Sequence, residues 1–186
     1  MEELSKTAYV ILGMLRLGKR TGYEIKSLVD VSTRFFWAAS YGQIYPELAK
    51  LEEAGLIRGE ADPSNGRRRK AYELTEAGEA ALHDWLVSPE PLHFEMRHEG
   101  VLKFFFSDAL PPDERLEPLR QMRAEHEQVL ERLRAIAGVK DADPDATPGS
   151  PRLTLEWGIA YEKFLIDWCS QMERRLAQGE PAGKAG

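Results

Sequence analysis

The stretch SYGQIYPELAKLEEAGLIRGEADPSNGRRRKAYELT, residues 40–75, decides the fold. Ser40 and Gln43 stand at capping-box spacing, where an N-cap hydroxyl and the side chain three residues on satisfy each other's backbone N–H groups, so a helix opens there. It runs through Leu48 and Leu51 to about Ala54. Gly55 suits the left-handed position after a helix, with Leu56 folding back onto Leu51 in a Schellman stop. Pro46 breaks the local rule: at the sixth helical position it removes a backbone hydrogen bond and crowds the Gly42 carbonyl, which costs roughly 3 kcal/mol in an ideal helix. Either the helix begins at Tyr45 or its first turn is distorted. Beyond it, residues 56–61 and 71–74 flank Asp-Pro-Ser-Asn-Gly, a hairpin turn signal, with Tyr72 and Leu74 on one face and Glu73 on the other. A capped helix, a hairpin and a basic tip form the layout of a winged helix-turn-helix, which offers a duplex a helix end for the major groove and a cationic loop for phosphate.

Upstream, Ala8, Ile11, Leu12 and Leu15 recur at helical spacing after Ser5, a suitable N-cap, and Gly18 ends that pattern. Thr21 and Glu24 make a further capping box, opening a helix that buries Ile25, Leu28 and Val29 and fades near Asp30. Residues 31–39 hold Phe35, Phe36 and Trp37 without a clean period, which predicts a loop or short turn seating aromatics in the core. Downstream, Thr75 caps a helix whose stripe is Ala81, Leu82, Trp85 and Leu86, and Ser-Pro-Glu-Pro at 88–91 breaks it. That step is the expected boundary between a winged helix-turn-helix domain at 1–88 and a helical dimerisation domain at 92–179. In the second domain, residues 101–109 read as one apolar helix. Leu116, Leu119, Met122, Val129, Leu130, Leu133 and Ile136 make the seam of another, residues 140–151 have linker composition, and a last helix spans about Arg152 to Ala177. The fold class is therefore mainly α, with a two-stranded wing.

The formal charge of −6 argues at first against nucleic acid, since a DNA binder needs a cationic footprint. Its distribution reverses that: residues 1–80 hold 12 Lys or Arg against 12 Asp or Glu, whereas 81–186 hold 13 against 19. The single cysteine, Cys169, excludes an intramolecular disulfide, and no apolar run approaches a membrane span. The polar, acidic start shows no secretory signal, so a cytoplasmic chain without a membrane role is expected. His83, His93, His98 and His126 have no metal-ligand spacing and read as lone histidines. No Gly-rich phosphate loop, Ser-His-Asp arrangement or nucleophile elbow is present. Neither catalysis, nor a metal, nor a cofactor is expected.

Two clusters carry the binding chemistry. Arg67, Arg68, Arg69 and Lys70 are successive cations with no acid nearer than Asp62 and Glu73. Alone they would be a solvated charge run, but a hairpin tip beside a capped helix makes them phosphate contacts, and several per subunit would give steep salt dependence. Ser40, Tyr41, Gln43 and Tyr45 open the helix with hydroxyls and an amide that can reach phosphates or base edges, Gln pairing bidentately with adenine. Ser40 and Gln43 also cap each other, and the tyrosines can pack on the preceding helix. Tyr23, Lys26, Lys6 and Thr7 are weaker phosphate candidates. In the last helix Trp157, Tyr161, Phe164, Trp168 and Met172 exceed what two neighbouring helices cover, which points to a partner subunit. They read either as a packed dimer interface or as the lining of a pocket for a flat aromatic effector.

The segment from Tyr41 to Ile57, the Asn65-Gly66-Arg67-Arg68-Arg69-Lys70 run leading into Ala71-Tyr72-Glu73-Leu74-Thr75, the opening Ala8-Tyr9-Val10-Ile11-Leu12-Gly13-Met14-Leu15 and Thr21-Gly22-Tyr23-Glu24-Ile25 together resemble the PadR family of bacterial transcriptional regulators. The resemblance is specific over about Leu4 to Leu86; beyond that, helical style and length agree. It implies a homodimeric winged-helix repressor on a roughly palindromic double-stranded DNA operator, with contacts from Tyr41, Gln43 and Tyr45 and from Arg67 to Lys70. Pro46 falls on the family's Tyr-Pro step. Some relatives respond to phenolic acids or planar drugs, but no motif here carries an effector site over. The alternatives are a winged-helix module that binds a protein partner without DNA and, more remotely, a small-molecule carrier built on the last helix.

Overall fold

Each helix of the first half begins where a side chain can satisfy its unpaired amides. In the computed structural model, which describes residues 4–61, 70–92, 94–111, 114–138 and 149–178, the chain divides into two units, the first ending at Leu92. In that first unit the Ser5 hydroxyl accepts the Ala8 N–H at 3.0 Å and starts α1, Lys6–Arg16. Thr21 and Glu24 close the capping box of α2, Gly22–Val31. The Glu24 carboxylate accepts backbone N–H groups of Arg20 at 3.1 Å and Thr21 at 2.9 Å, and these bonds, Arg20's first, hold it below the usual carboxylate range.

The third helix, α3, spans Tyr41–Glu53, so it begins at Tyr41 and carries Pro46 within it. Its end is a Schellman stop: Gly55 has φ +71°, its N–H donates to the Glu52 carbonyl at 3.0 Å, and Leu56 N–H donates to Leu51 at 2.9 Å. Strands β1 (Ile57–Ala61) and β2 (Lys70–Leu74) follow as an antiparallel pair, in register from Ile57 opposite Leu74 to Ala61 opposite Lys70. The Asn65-Gly66 turn lies outside the described residues. Thr75 caps α4 (Glu76–Val87) by accepting the Gly78 N–H at 3.1 Å. Ile11, Leu12, Ile25, Val29, Ile44, Leu48, Leu51 and Ile57 are fully buried where these elements meet. Each such side chain contributes about 1.5–3 kcal/mol.

In the second unit, α5 is Glu99–Phe105, α6 is Glu117–Ala137 and α7 is Ser150–Ala177. The two long helices run antiparallel: Arg152, early in α7, donates to the Ala137 carbonyl ending α6 at 2.8 Å, and Arg123 pairs with Glu173 at 3.2 Å. Leu119, Met122 and Cys169 form the core, with Val101, Phe104, Trp168, Met172 and Leu176 packed on it. Among the described residues no helix is long and apolar enough to cross a membrane.

Three local expectations need correction. Residues 31–39 do not seat their aromatics in the core: a 3-10 turn at Thr33–Phe35 leaves Phe36 and Trp37 about half exposed, and the chain re-enters the core only at Ala39. Leu86 does not continue the α4 stripe and is exposed. Residues 101–109 are not one helix. Only Val101 and Phe104 face the core while Leu102, Phe105 and Phe106 are exposed, so nothing holds a further turn and the chain tightens into a 3-10 turn at Ser107–Ala109.

Gly78 sets how closely α4 lies on the end of α3, because a Cβ there would run into the Leu56 carbonyl oxygen, a backbone atom that cannot swing aside. We expect Gly78→Ala to lose about 1–3 kcal/mol in urea unfolding, whereas Leu86→Ala, on an exposed position, shifts stability by less than about 0.5 kcal/mol.

Candidate nucleic-acid interface

The start of α3 is polar and exposed. Tyr41 and Tyr45 are 44% and 51% exposed, and their rings stack with centroids 6.1 Å apart. Tyr45 also rests on the first turn of α2, since a side chain at Gly22 would meet its Cε1 at 2.8 Å. The Gln43 Oε1 accepts from the Ser40 N–H at 2.9 Å and the Ser40 hydroxyl at 3.1 Å. The bond to the Ser40 N–H is the one expected of a cap, and it leaves the carboxamide NH2 as the donor end of that side chain. Lys26 on α2 lies over the Tyr41 ring, 5.4 Å from its centroid, and pairs with Asp30. Helices α2 and α3 therefore bring Lys26, Tyr41, Tyr45 and Gln43 to one end of α3.

The hairpin is anchored to the same frame. Tyr72 N–H donates to the Arg20 carbonyl at 2.6 Å, and Glu73 pairs with Arg20 and, at 3.5 Å, with its cross-strand neighbour Arg58. Lys70 reaches back to α3: its Nζ lies 3.0 Å from each Glu52 carboxylate oxygen, and that hydrogen bond raises the lysine above its usual range. The two partners lie 18 positions apart, beyond the reach of any spacing rule for one helix face. Arg67, Arg68 and Arg69 lie outside the described residues.

The aromatic candidates of α7 separate into two groups. Trp157 and Tyr161 stack at 5.7 Å, and Trp157 and Phe164 are more than half exposed. The Tyr161 hydroxyl meets the Met96 sulfur at 3.8 Å, and burial raises its phenol above the usual value. Trp168 and Met172 instead turn onto the unit's own core, Trp168 meeting Phe104 edge to face at 5.5 Å. The same unit holds a cluster that residue spacing could not reveal: His98 and His126, 28 positions apart, meet at 2.9 Å, and His126 lies 2.6 Å from the buried Glu162. They are not lone histidines.

A family model described as the transcriptional regulator PadR-like family matches residues 11–84, which run from within α1 to within α4, and one described as the virulence activator alpha C-term matches residues 96–177. Residues 11–84 thus carry a PadR-like domain. The negative transcriptional regulator PadR of Bacillus subtilis is 38% identical over 107 residues, 57% of this chain and 59% of that protein, so the match spans about three fifths of that curated relative's length. A probable transcriptional regulator of Mycobacterium tuberculosis is 26% identical over 85% of this chain and 90% of its own. Among solved structures, B. subtilis PadR in complex with operator DNA has a TM-score of 0.79 at 29% identity, covering 91% of this chain and 98% of that one. The Vibrio cholerae virulence activator AphA has a TM-score of 0.71 at 26% identity, over 93% and 99%. Each match to a full solved chain extends past the wing into the C-terminal helices.

The Lys70–Glu52 pair ties the hairpin to α3 through two side chains 52% and 31% exposed, so solvent screens most of its strength. A double-mutant cycle of Lys70→Ala and Glu52→Ala in urea unfolding should return a coupling indistinguishable from zero within the error of the fits; a resolved coupling would mean that the pair holds the hairpin rather than orienting it.

Proposed function

We propose that this chain is a sequence-specific DNA-binding transcriptional regulator that acts as a cytoplasmic homodimer on a roughly palindromic operator and represses by occluding a promoter. The observation that carries this reading is the exposed, polar start of α3 with Tyr41, Tyr45 and Gln43 side by side, on a helix whose other end is tied through Glu52 and Lys70 to the hairpin whose loop sequence holds Arg67, Arg68 and Arg69. Such an end suits major-groove base edges, and such a loop suits phosphate. The relative crystallised with operator DNA shares this fold, which supports the same use here. Lys70 would exchange the Glu52 carboxylate for a phosphate oxygen on binding. No catalytic step is part of this role.

Homodimerisation is supported by the apolar face of α7, where Trp157 and Phe164 remain exposed on the second unit. Release by a small aromatic effector is a further part of the proposal: B. subtilis PadR has been crystallised with p-coumaric acid, and the Trp157–Tyr161 stack is a surface on which a flat ring could lie. Activation rather than repression is the second reading, favoured by the match of residues 96–177 to the C-terminal region of virulence activators.

The test is fluorescence anisotropy of the full chain on duplex from its own upstream region and on a scrambled duplex, over a salt series. We expect sequence-preferring binding with a steep salt slope. Replacing Arg67, Arg68 and Arg69 by Ala should lower that slope by about one for each phosphate left without its cation. Gln43→Ala should erode the preference by about 1–3 kcal/mol while sparing the slope. Binding to neither duplex at low salt, with a protein partner captured instead, would sink the DNA reading.

For the dimer, Phe164→Glu is a cleaner probe than truncating the chain at Lys140, because α7 also covers α6 within one chain. Analytical ultracentrifugation should find the variant shifted to monomer with its helical circular dichroism intact. A dimer of unchanged affinity would move the interface elsewhere.

A further inference from the structure

The second unit contains a continuous chain of hydrogen bonds through two imidazoles. His98 is the N-cap of α5, and its Nδ1 accepts the Val101 backbone N–H at 3.3 Å. Its Nε2 faces the Nε2 of His126 on α6 at 2.9 Å, and His126 Nδ1 lies 2.6 Å from Oε2 of Glu162 on α7. Glu162 is only 7% exposed. The ring centroids are 5.1 Å apart, about the nitrogen–nitrogen separation plus one ring radius at each end, so the two lone-pair axes point at each other. That suits a shared proton. It does not suit a chelated metal, for which both rings would have to aim at a common third point.

The proton positions follow from the donors. A backbone N–H can only donate, so His98 Nδ1 is bare and its proton sits on Nε2. His126 Nε2 is then the acceptor, and its own proton sits on Nδ1, donated to the Glu162 carboxylate. Every bond in the chain holds one proton only while both rings are neutral and in opposite tautomers. On the two rings, neither bare nitrogen is vacant for an added proton. On His98 Nδ1 it would face the Val101 N–H; on His126 Nε2 it would face the proton of His98.

We propose that this chain is an acid-operated catch, in which one proton taken up by the histidine pair breaks either the Val101 bond that caps α5 or the His98–His126 bond that joins α5 to α6. Acid thereby loosens the start of α5 from the α6–α7 pair. The device is intrinsic to the second unit and independent of what the first unit binds.

The groups around the pair come from all three helices. On α5, Glu99 and Lys103 pair with each other at 2.9 Å. On α6, Glu125 stands beside His126, and on α7 the buried Glu162 meets His126. Burial first, and the facing His126 second, hold His98 below the ordinary histidine range, outweighing Glu125 and Glu162, which act the other way. Because the folded state disfavours the charged ring, its contribution to stability is fully present above the unfolded histidine value of about 6.5. It is lost as pH falls from there toward the lowered folded value.

The test uses the full-length protein. Nitrogen-15 NMR of the imidazoles at pH 8, assigned through bonds from the backbone, should find His98 protonated on Nε2 and His126 on Nδ1. Two like tautomers, or a doubly protonated ring at that pH, would overturn the proposal without any variant. Thermal unfolding at pH 7.5 and 5.5 then compares wild type with His98→Asn, in which Asn keeps a competent N-cap but does not titrate. Wild type should lose about 2–4 °C more than the variant on acidification; equal losses would equally overturn it.

Discussion

The carbonyl oxygen of Leu56 is where the first unit is tied together. It accepts the Thr75 N–H at 3.2 Å and the Thr75 hydroxyl at 3.0 Å, while the Leu56 N–H donates back to Leu51. One residue thus closes α3, starts the hairpin ladder at the Ile57–Leu74 pair and receives the cap of α4. The close approach is possible only because position 78 lacks a side chain. With the C-terminal end of α3 gripped in this way, and Ile44, Leu48 and Leu51 buried beneath it, the opposite end stands out of the fold with Tyr41 and Tyr45 exposed. What α3 offers to a ligand is a consequence of how its other end is held.

The balanced charge of residues 1–80 takes on meaning from this frame. Glu73 is shared by Arg20 and Arg58, Glu52 holds Lys70, and Asp30 holds Lys26. Several acids of the first half are therefore engaged in bracing the hairpin and α2 rather than in opposing a polyanion across the surface. Each exposed pair is worth little alone, but together they set the hairpin's position on the helices. The run of arginines at 67–69 has no acid adjacent to it in the sequence. A net charge of −6 for the whole chain is thus a poor guide to what the first half can bind, since local distribution governs the field a ligand meets.

What was legible in the sequence was whatever is decided within a few residues. The caps at Ser5, Thr21 and Thr75, the Schellman stop at Gly55 and the strands on either side of the turn are local bargains between neighbouring side chains and backbone, and they fell where their residue types demanded. Burial was less legible, because an apolar residue does not announce whether anything lies opposite it. Phe36, Trp37 and Leu86 are exposed, and the apolar run at 101–109 breaks for the same reason. Least legible were contacts across long separations. Glu52 to Lys70 spans 18 positions, His98 to His126 spans 28, and His126 to Glu162 spans 36. Spacing rules address a helix face or a short loop, so three side chains from three helices leave no signature in a single sequence.

Helix α7 shows why the C-terminal half needed a structure to be read. Gly158, Glu162, Leu165 and Cys169 recur at intervals of four, three and four and are buried, and Gly158 faces Leu133 on α6, where a Cβ would sit at ordinary contact distance, 3.4 Å from its methyl. This stripe, not the aromatic one, is the intramolecular face. Trp157 and Phe164 lie on a second stripe, one residue before Gly158 and Leu165, and stay more than half exposed. Such a helix gives one face to its own unit and leaves a second, with large aromatic side chains, exposed. The two faces differ in composition: the inner one is small and polar enough to hold a buried carboxylate and its histidine, and the outer one is bulky and aromatic, the kind of face that the proposed dimer would bury.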